Sequence, residues 1–170
     1  HAHVSKHGGQ LQAFDLTQHW NPHPVIAVAG GMPFEGRPRH VLGIACRADP
    51  AEALHKALLE WQQALTFAAH LCRHDSARLP REPAALRSFD EHAAFYTLRP
   101  DLWASVPLLK RTHDSPLQVS PTVAALRPPA LRAGDELDLL RRRLGQAGIA
   151  LYYRELTTTD VAAAGVRVMR

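Results

Sequence analysis

The sequence predicts an α+β fold in which a mixed β-sheet packs with helices, and the chain reads as an incomplete half of a larger domain. Three features carry this expectation. The continuous apolar run Val25-Ile26-Ala27-Val28-Ala29 suits a strand covered on both faces. Leu54, Leu58, Trp61, Leu65, Ala68 and Cys72 recur at alternating spacings of four and three, which is one apolar stripe along a helix. An acidic-Leu-Thr triplet closes a predicted strand twice, at Asp15-Leu16-Thr17 and Glu155-Leu156-Thr157, and an apolar strand begins soon after each, at Val25 and Val166. Two such strand–excursion–strand units with helices between them imply a layered sheet and helix architecture. The last strand stops one residue before Arg170, hence the reading as part of something larger.

Leu11 to Thr17 alternates apolar and polar residues, as a half-buried strand does. His19-Trp20-Asn21-Pro22-His23-Pro24 is a turn region before the buried strand at 25–29, which Gly30-Gly31 ends. A Pro/Gly/Arg loop then leads to a short strand over Val41–Cys46. Asp49 is a good N-cap, Pro50 fits the first helical position and Glu52 stands three residues after the cap, so a helix is expected over Asp49–His74. Residues 76–87 are polar and contain proline, as an exposed loop does. Ser88 with Glu91 repeats the capping pattern and opens a short helix through Ala93, Phe95 and Tyr96. Pro100 and Pro107 interrupt the next stretch of chain and limit 101–110 to another short helix. Four prolines between Arg111 and Arg132 indicate a long connection. Asp135 caps a third helix bearing Leu137, Leu140, Leu144 and Ala147, and Gly148 is placed to end it in the left-handed conformation. Ile149–Leu156 and Gly165–Met169 read as strands.

Composition narrows the function classes. The chain has 170 residues, enough for a real core, and mixed-sign charges with a net of +4 scattered over its length. The one dense cluster, Arg141-Arg142-Arg143, falls inside a predicted helix and reads as a solvated face, so no nucleic-acid partner is expected. No apolar run has the length of a bilayer crossing and no charged-then-apolar leader opens the chain, so no membrane role is expected. Cys46 and Cys72 lack CxxC spacing and read as reduced thiols of a cytoplasmic protein; richness in Ala, Leu and Arg fits a high-GC bacterial gene. Among eleven histidines, His70 and His74 have the spacing of a metal pair, but no third ligand accompanies them, and they read as a polar helix end. His19 and His23 flank Trp20 in a turn, and His1 and His3 are a tag remnant or a loop edge. No P-loop, nucleophile elbow or GxGxxG turn is present.

Lys56, Glu60 and Gln63 are spaced by four and three on the long helix and share one face. By spacing alone they are an ordinary surface ion pair with a neighbouring amide. Arg167 alternates with Val166 and Val168 and reads as an exposed strand arginine.

The stretch from Leu42 to Gln63 resembles a segment of the YcaO family, in which a glycine-led strand runs into a helix patterned Asp-Pro-x-x-Ala-Leu-x-(Arg/Lys)-Ala-Leu-x-Glu-x-x-Gln. The pattern falls on Asp49, Pro50, Ala53, Leu54, Lys56, Ala57, Leu58, Glu60 and Gln63. Asp15-Leu16-Thr17 with Pro24-Val25-Ile26-Ala27 resembles the family's Asp-Leu-Thr strand and its partner. Asp90-Glu91-His92-Ala93-Ala94-Phe95-Tyr96 resembles a segment of its peptide-maturing branch, and Gly148–Arg170 its late strand pair. Two departures stand out. The family's upstream half, with a Ser-Ser-Asn-Gly-type turn and a Glu-x-x-Glu-Arg helix that hold magnesium and phosphates, is absent, as is the proline-rich tail of that branch. Cys46-Arg47-Ala48 stands where many members have a small residue and histidine.

The resemblance implies a YcaO-like fold, with residues 1–170 as the C-terminal part of the domain and not a complete catalyst alone. It implies ATP-dependent cyclodehydration of Cys, Ser or Thr in a ribosomally made precursor peptide. A side-chain thiol or hydroxyl attacks the preceding carbonyl, ATP phosphorylates the resulting oxyanion, and phosphate leaves to give thiazoline or oxazoline. A hydroxide-like oxygen leaves poorly and a phosphorylated one leaves well, so the chemistry calls for ATP, Mg2+ and a proton shuttle. In this frame Glu60 and Gln63 are catalytic candidates and Lys56 and Arg47 cofactor contacts. The implied partners are the precursor peptide, a leader-binding protein, a flavin dehydrogenase and a second copy in a homodimer. Three alternatives stay open: a non-catalytic YcaO-like scaffold, a family member making thioamide or amidine, and an unrelated small α+β domain. Absence of a strand-to-helix junction at Cys46–Asp49 would sink the leading reading.

Overall fold

The structure, a computed structural model, describes residues 2–34, 36–75, 82–110, 132–152 and 154–168. Two compact units are present, one over residues 1–19 and 23–127 and the other over 20–22 and 128–170.

The first unit opens with a single-turn helix, α1 (Ala2–Lys6), and continues as a three-stranded meander: β1 (Gln10–Asp15), β2 (Val25–Phe34) and β3 (Arg37–Cys46), in spatial order β1-β2-β3. Both pairings are antiparallel, so the α+β class holds while the sheet of the described residues is not mixed. Helix α2 (Pro50–Asp75) follows at the expected junction. The Asp49 carboxylate caps it, accepting from the amides of Ala51 (2.8 Å) and Glu52 (3.2 Å). A one-turn 3-10 segment (Pro83–Ala85), α3 (Phe89–Thr97), α4 (Pro100–Ser105) and a 3-10 segment (Pro107–Lys110) complete the described part of this unit. Pro100 and Pro107 begin elements instead of breaking one, because a first-turn position needs no amide donor. The long connection read over 111–132 lies, except for Arg132, outside the described residues.

Gly30 and Gly31 do not end β2; the strand runs through both to Phe34. Their role is close approach. A Cβ on Gly30 would stand 2.0 Å from the Gln10 carbonyl oxygen, and one on Gly31 2.4 Å from that of Arg39. The turn comes at Gly36, whose φ of 73° a side chain would resist. One sheet face meets α2. Ile26, Val28, Val41 and Ala45 pack there against Ala53, Ala57, Trp61 and Ala68. Gly43 brings backbone onto backbone: a Cβ there would lie 2.2 Å from the Ala57 carbonyl oxygen and 2.4 Å from the Trp61 nitrogen. Trp61 is 6% exposed, and its indole N–H donates to the Gly30 carbonyl at 3.2 Å. The opposite sheet face buries Phe14, Ala27 and Ala29 beneath Leu16, Trp103 and Leu109.

Beyond β1 the chain is clasped. The Leu16 amide donates to the Val25 carbonyl (2.8 Å), and the Val25 amide donates to the Thr17 hydroxyl oxygen (2.9 Å). Thr17 in turn donates through its hydroxyl to the Asp15 carboxylate.

In the second unit, α5 (Ala133–Gln146) starts two residues before Asp135, with Arg132 at the cap position. Asp135 and Glu136 instead occupy its first turn, where carboxylates favour the helix dipole. Gly148 has φ 71°, and the bonds Ile149 N–H to Leu144 O (2.9 Å) and Gly148 N–H to Gly145 O (3.1 Å) close the helix in a Schellman turn. The strands expected at 149–156 and 165–169 do not form a ladder among the described residues; Glu155 makes an isolated bridge. Met169 lies outside the described residues. A five-residue helix, α6 (Thr159–Ala163), fills the excursion between the two segments. The acidic-Leu-Thr echo nevertheless returns as geometry: Leu156 N–H donates to Val168 O (2.8 Å), and Val168 N–H donates to the Thr157 hydroxyl oxygen (2.9 Å).

Candidate functional site

The long helix α2 sets one wall of a groove. Its apolar stripe is held on the sheet by Gly43 and Trp61, so the adjoining row Lys56, Glu60, Gln63, Phe67 and His70 is fixed along the stripe's flank. Glu60, Gln63, Phe67 and His70 line a groove of about 1200 Å3. Its other wall comes from α3 and α4. Ser88 caps α3 in a complete capping box: the Glu91 amide donates to Ser88 Oγ (3.1 Å) and the Ser88 amide to the Glu91 carboxylate (3.2 Å). That start turns His92 and Tyr96, one turn apart with ring centroids 4.8 Å from each other, to the groove. Trp103 of α4 completes the wall; its indole N–H donates to the Tyr96 carbonyl (2.7 Å) and its ring stacks on His40 at 5.8 Å.

The four residues singled out in the sequence separate into two places. Lys56 Nζ lies 2.6 Å from Glu60 Oε1, both side chains 39% exposed, a contact worth a few tenths of a kcal/mol in stability (roughly 0.3–0.5). Gln63 stands beside them on the groove wall. Arg47 is elsewhere, at the strand-to-helix junction, where it is exposed and its guanidinium donates to the Cys46 carbonyl (2.7 Å). Trp61 belongs to the core. Arg167 is exposed and pairs with Glu155 at 2.9 Å.

Sequence reading missed the aromatic wall. Phe67 sits on the flank of the apolar stripe, and His92 and Tyr96 were visible only as an i,i+4 pair; Trp103 carries no local signal that would place it beside them. Two buried polar atoms of β3, Arg39 Nε and His40 Nδ1, have no hydrogen-bond partner among the described residues. Burial pushes the His40 imidazole below its ordinary pKa. The Arg99 guanidinium, hydrogen-bonded to Asp101, holds that carboxyl below the usual carboxylate range. Among the described residues no three of His, Cys, Asp and Glu gather as a metal site requires, and His74's side chain lies outside them. No helix among them is long and apolar enough to cross a membrane.

Comparison with known proteins accords with this architecture. Two solved structures align over 99% of the chain: a heterocyclase in complex with substrate and cofactor (TM-score 0.60, 20% identity) and the heterocyclase TruD (TM-score 0.62, 19% identity). In each case the chain spans about a fifth of the neighbour's length (20%). No curated protein matches. The family model described as YcaO cyclodehydratase, ATP- and Mg2+-binding, matches residues 1–170, the whole of the chain. With that match, and with the strand-to-helix junction at Cys46–Asp49 formed as the pattern requires, the chain belongs to the YcaO cyclodehydratase family.

Proposed function

We propose that this chain is the C-terminal part of a YcaO-like domain in an enzyme that cyclodehydrates Cys, Ser or Thr residues of a ribosomally made peptide. The observation that carries the reading is the Lys56–Glu60–Gln63 row: three positions of the family pattern on one helix flank, two of them on the wall of the groove. ATP would supply the phosphoryl group that turns the amide oxygen into a leaving group. ATP and Mg2+ are the cofactors of the family; among the described residues no three His, Cys, Asp or Glu side chains gather as a metal cluster. This chain's contribution is positional. Glu60 is the acid–base candidate, kept at the groove by its bond to Lys56, and Gln63 orients a peptide amide. Lys56, outside the groove lining, and Arg47, at the strand-to-helix junction, are the phosphate contacts of this reading. The partners of this reading are the precursor peptide, a leader-binding protein, a flavin dehydrogenase and a second copy, in the cytoplasm.

The test uses the full-length protein with its partner, ATP, magnesium and a co-encoded peptide rich in Cys, Ser and Thr. Mass loss of one water per modified residue, matched by phosphate release, is the expected outcome. Glu60→Gln lowers the rate about 100-fold and Lys56→Ala raises the KM for ATP. An unchanged peptide mass without ATP consumption would favour the scaffold reading, in which the groove only docks a partner. A mass change other than water loss would favour thioamide or amidine formation.

A further inference from the structure

We infer that the groove between α2, α3 and α4 receives an uncharged, apolar stretch of the substrate peptide, gripped by aromatic rings and met by the Gln63 amide, while the nucleotide binds elsewhere. The inference rests on the reading that the substrate is a peptide. Size is the first reason. The lining follows α2 from Glu60 to His70, about 15 Å at ~1.5 Å per residue, a span that suits a length of chain.

Charge is the second. No lysine or arginine lines the groove among the described residues. The charged groups beside it are already matched. Glu60 has Lys56 at 2.6 Å, Asp101 has Arg99 at 2.7 Å, and the Glu91 carboxylate takes the amides of Arg87 (2.6 Å) and Ser88 (3.2 Å). A triphosphate entering here would find no lysine or arginine on the wall among the described residues, Lys56 outside it being engaged by Glu60, and would lose its hydration, which is costly; an uncharged peptide loses little.

Hydrogen-bonding capacity is the third. Thr97 donates to Ala93 O (2.7 Å), Ser105 to Leu102 O (2.6 Å) and the Trp103 indole to Tyr96 O (2.7 Å), so these polar groups are taken up within the walls. Gln63 offers both a donor and an acceptor, the complement of a peptide group. Finally, Phe89 lies 77% exposed at the groove with its ring 6.1 Å from that of Phe67. An aromatic pair left partly in water is a ready grip for an apolar side chain.

The probe is acetyl-Gln-Leu-Phe-Ala-Tyr-Leu-Gln-amide, titrated into the full-length protein and followed by calorimetry. Saturable binding is expected, little changed between low and high salt, undisturbed by ATP–Mg2+, and weakened about tenfold by Phe89→Ser or Gln63→Ala. Phe89 is exposed, so its replacement leaves the fold intact, which circular dichroism checks. Absence of binding, equal binding of a probe with two Asp replacements, or competitive displacement by ATP would overturn the inference. So would self-association that Phe89→Ser abolishes, since the groove would then hold a second copy. The two readings fail separately. Probe binding without water loss in the activity assay removes the reaction and keeps the groove, whereas water loss with a peptide KM unchanged by Phe89→Ser removes the groove alone.

Discussion

The same hydrogen-bond clasp occurs in both units of the chain, and among the described residues only the first builds a sheet on it. At Leu16–Thr17 and again at Leu156–Thr157 the leucine amide reaches a valine carbonyl and that valine's amide reaches the threonine hydroxyl, at 2.8 and 2.9 Å in each case. In the first unit the clasp continues into six paired positions, Gln10↔Gly31 through Asp15↔Ile26, with α2 on one face and Trp103 and Leu109 on the other. In the second, among the described residues, only the isolated bridge at Glu155 accompanies it, and Leu151 (55%), Tyr152 (87%) and Val166 (53%) are exposed. A threonine clasp therefore sets where two segments meet, while apolar cover decides whether the meeting extends into a ladder. Pattern alone does not distinguish the cases, because both segments carry strand-like residues.

Three experiments would break or sharpen this contrast. The largest effect is expected from Gly43→Val. Its new side chain would have to displace the α2 backbone, destabilising the first unit by about 3 kcal/mol or more. In urea unfolding followed by site-specific hydrogen exchange, α2 and the meander should loosen while α5 keeps its protection; equal loss in both would mean the units do not hold separately. Next comes the pair Thr17→Val and Thr157→Val. The first leaves the part-buried Val25 amide without its acceptor and should cost about 1–2 kcal/mol. The second exposes the Val168 amide to water and should stay within about 0.5 kcal/mol. Equal costs would refute the claim that cover, and not the clasp, separates the units.

The smallest effect is a pH dependence. His40 has its pKa lowered by burial, so between its folded value and the ordinary value of about 6.5 the unfolded chain binds more protons. Stability is then full above that ordinary value and falls as pH drops through the window. The second unit, residues 20–22 and 128–170, contains no histidine. Mild acid should therefore loosen the first unit and spare the second, and His40→Phe should flatten the difference. An unchanged slope in that variant would place the acid sensitivity on another group.

What was legible in the sequence was local. Asp49, the Ser88–Glu91 box and Gly148 act on backbone groups within a few residues, and each is found doing so. Gly30 and Gly31 misled because close approach of strands and a chain reversal ask for the same residue. The second strand pair misled because its cover is not written in its own residues. Of the site, the Lys56–Glu60–Gln63 flank follows from helical spacing, but its partners on α3 and α4 come together only through tertiary packing against α2 and β3.

The nine residues of α3 are too few to hold a helix by propensity alone. The Ser88–Glu91 box therefore does more than add stability: it tells the helix where to begin counting. Each residue advances the direction of a side chain by about 100°. Were the helix to start one position later, His92 and Tyr96 would keep their neighbours in sequence and lose their aim. One hydroxyl and one carboxylate thus serve as the zero mark of an angular scale on which the aromatic wall is read.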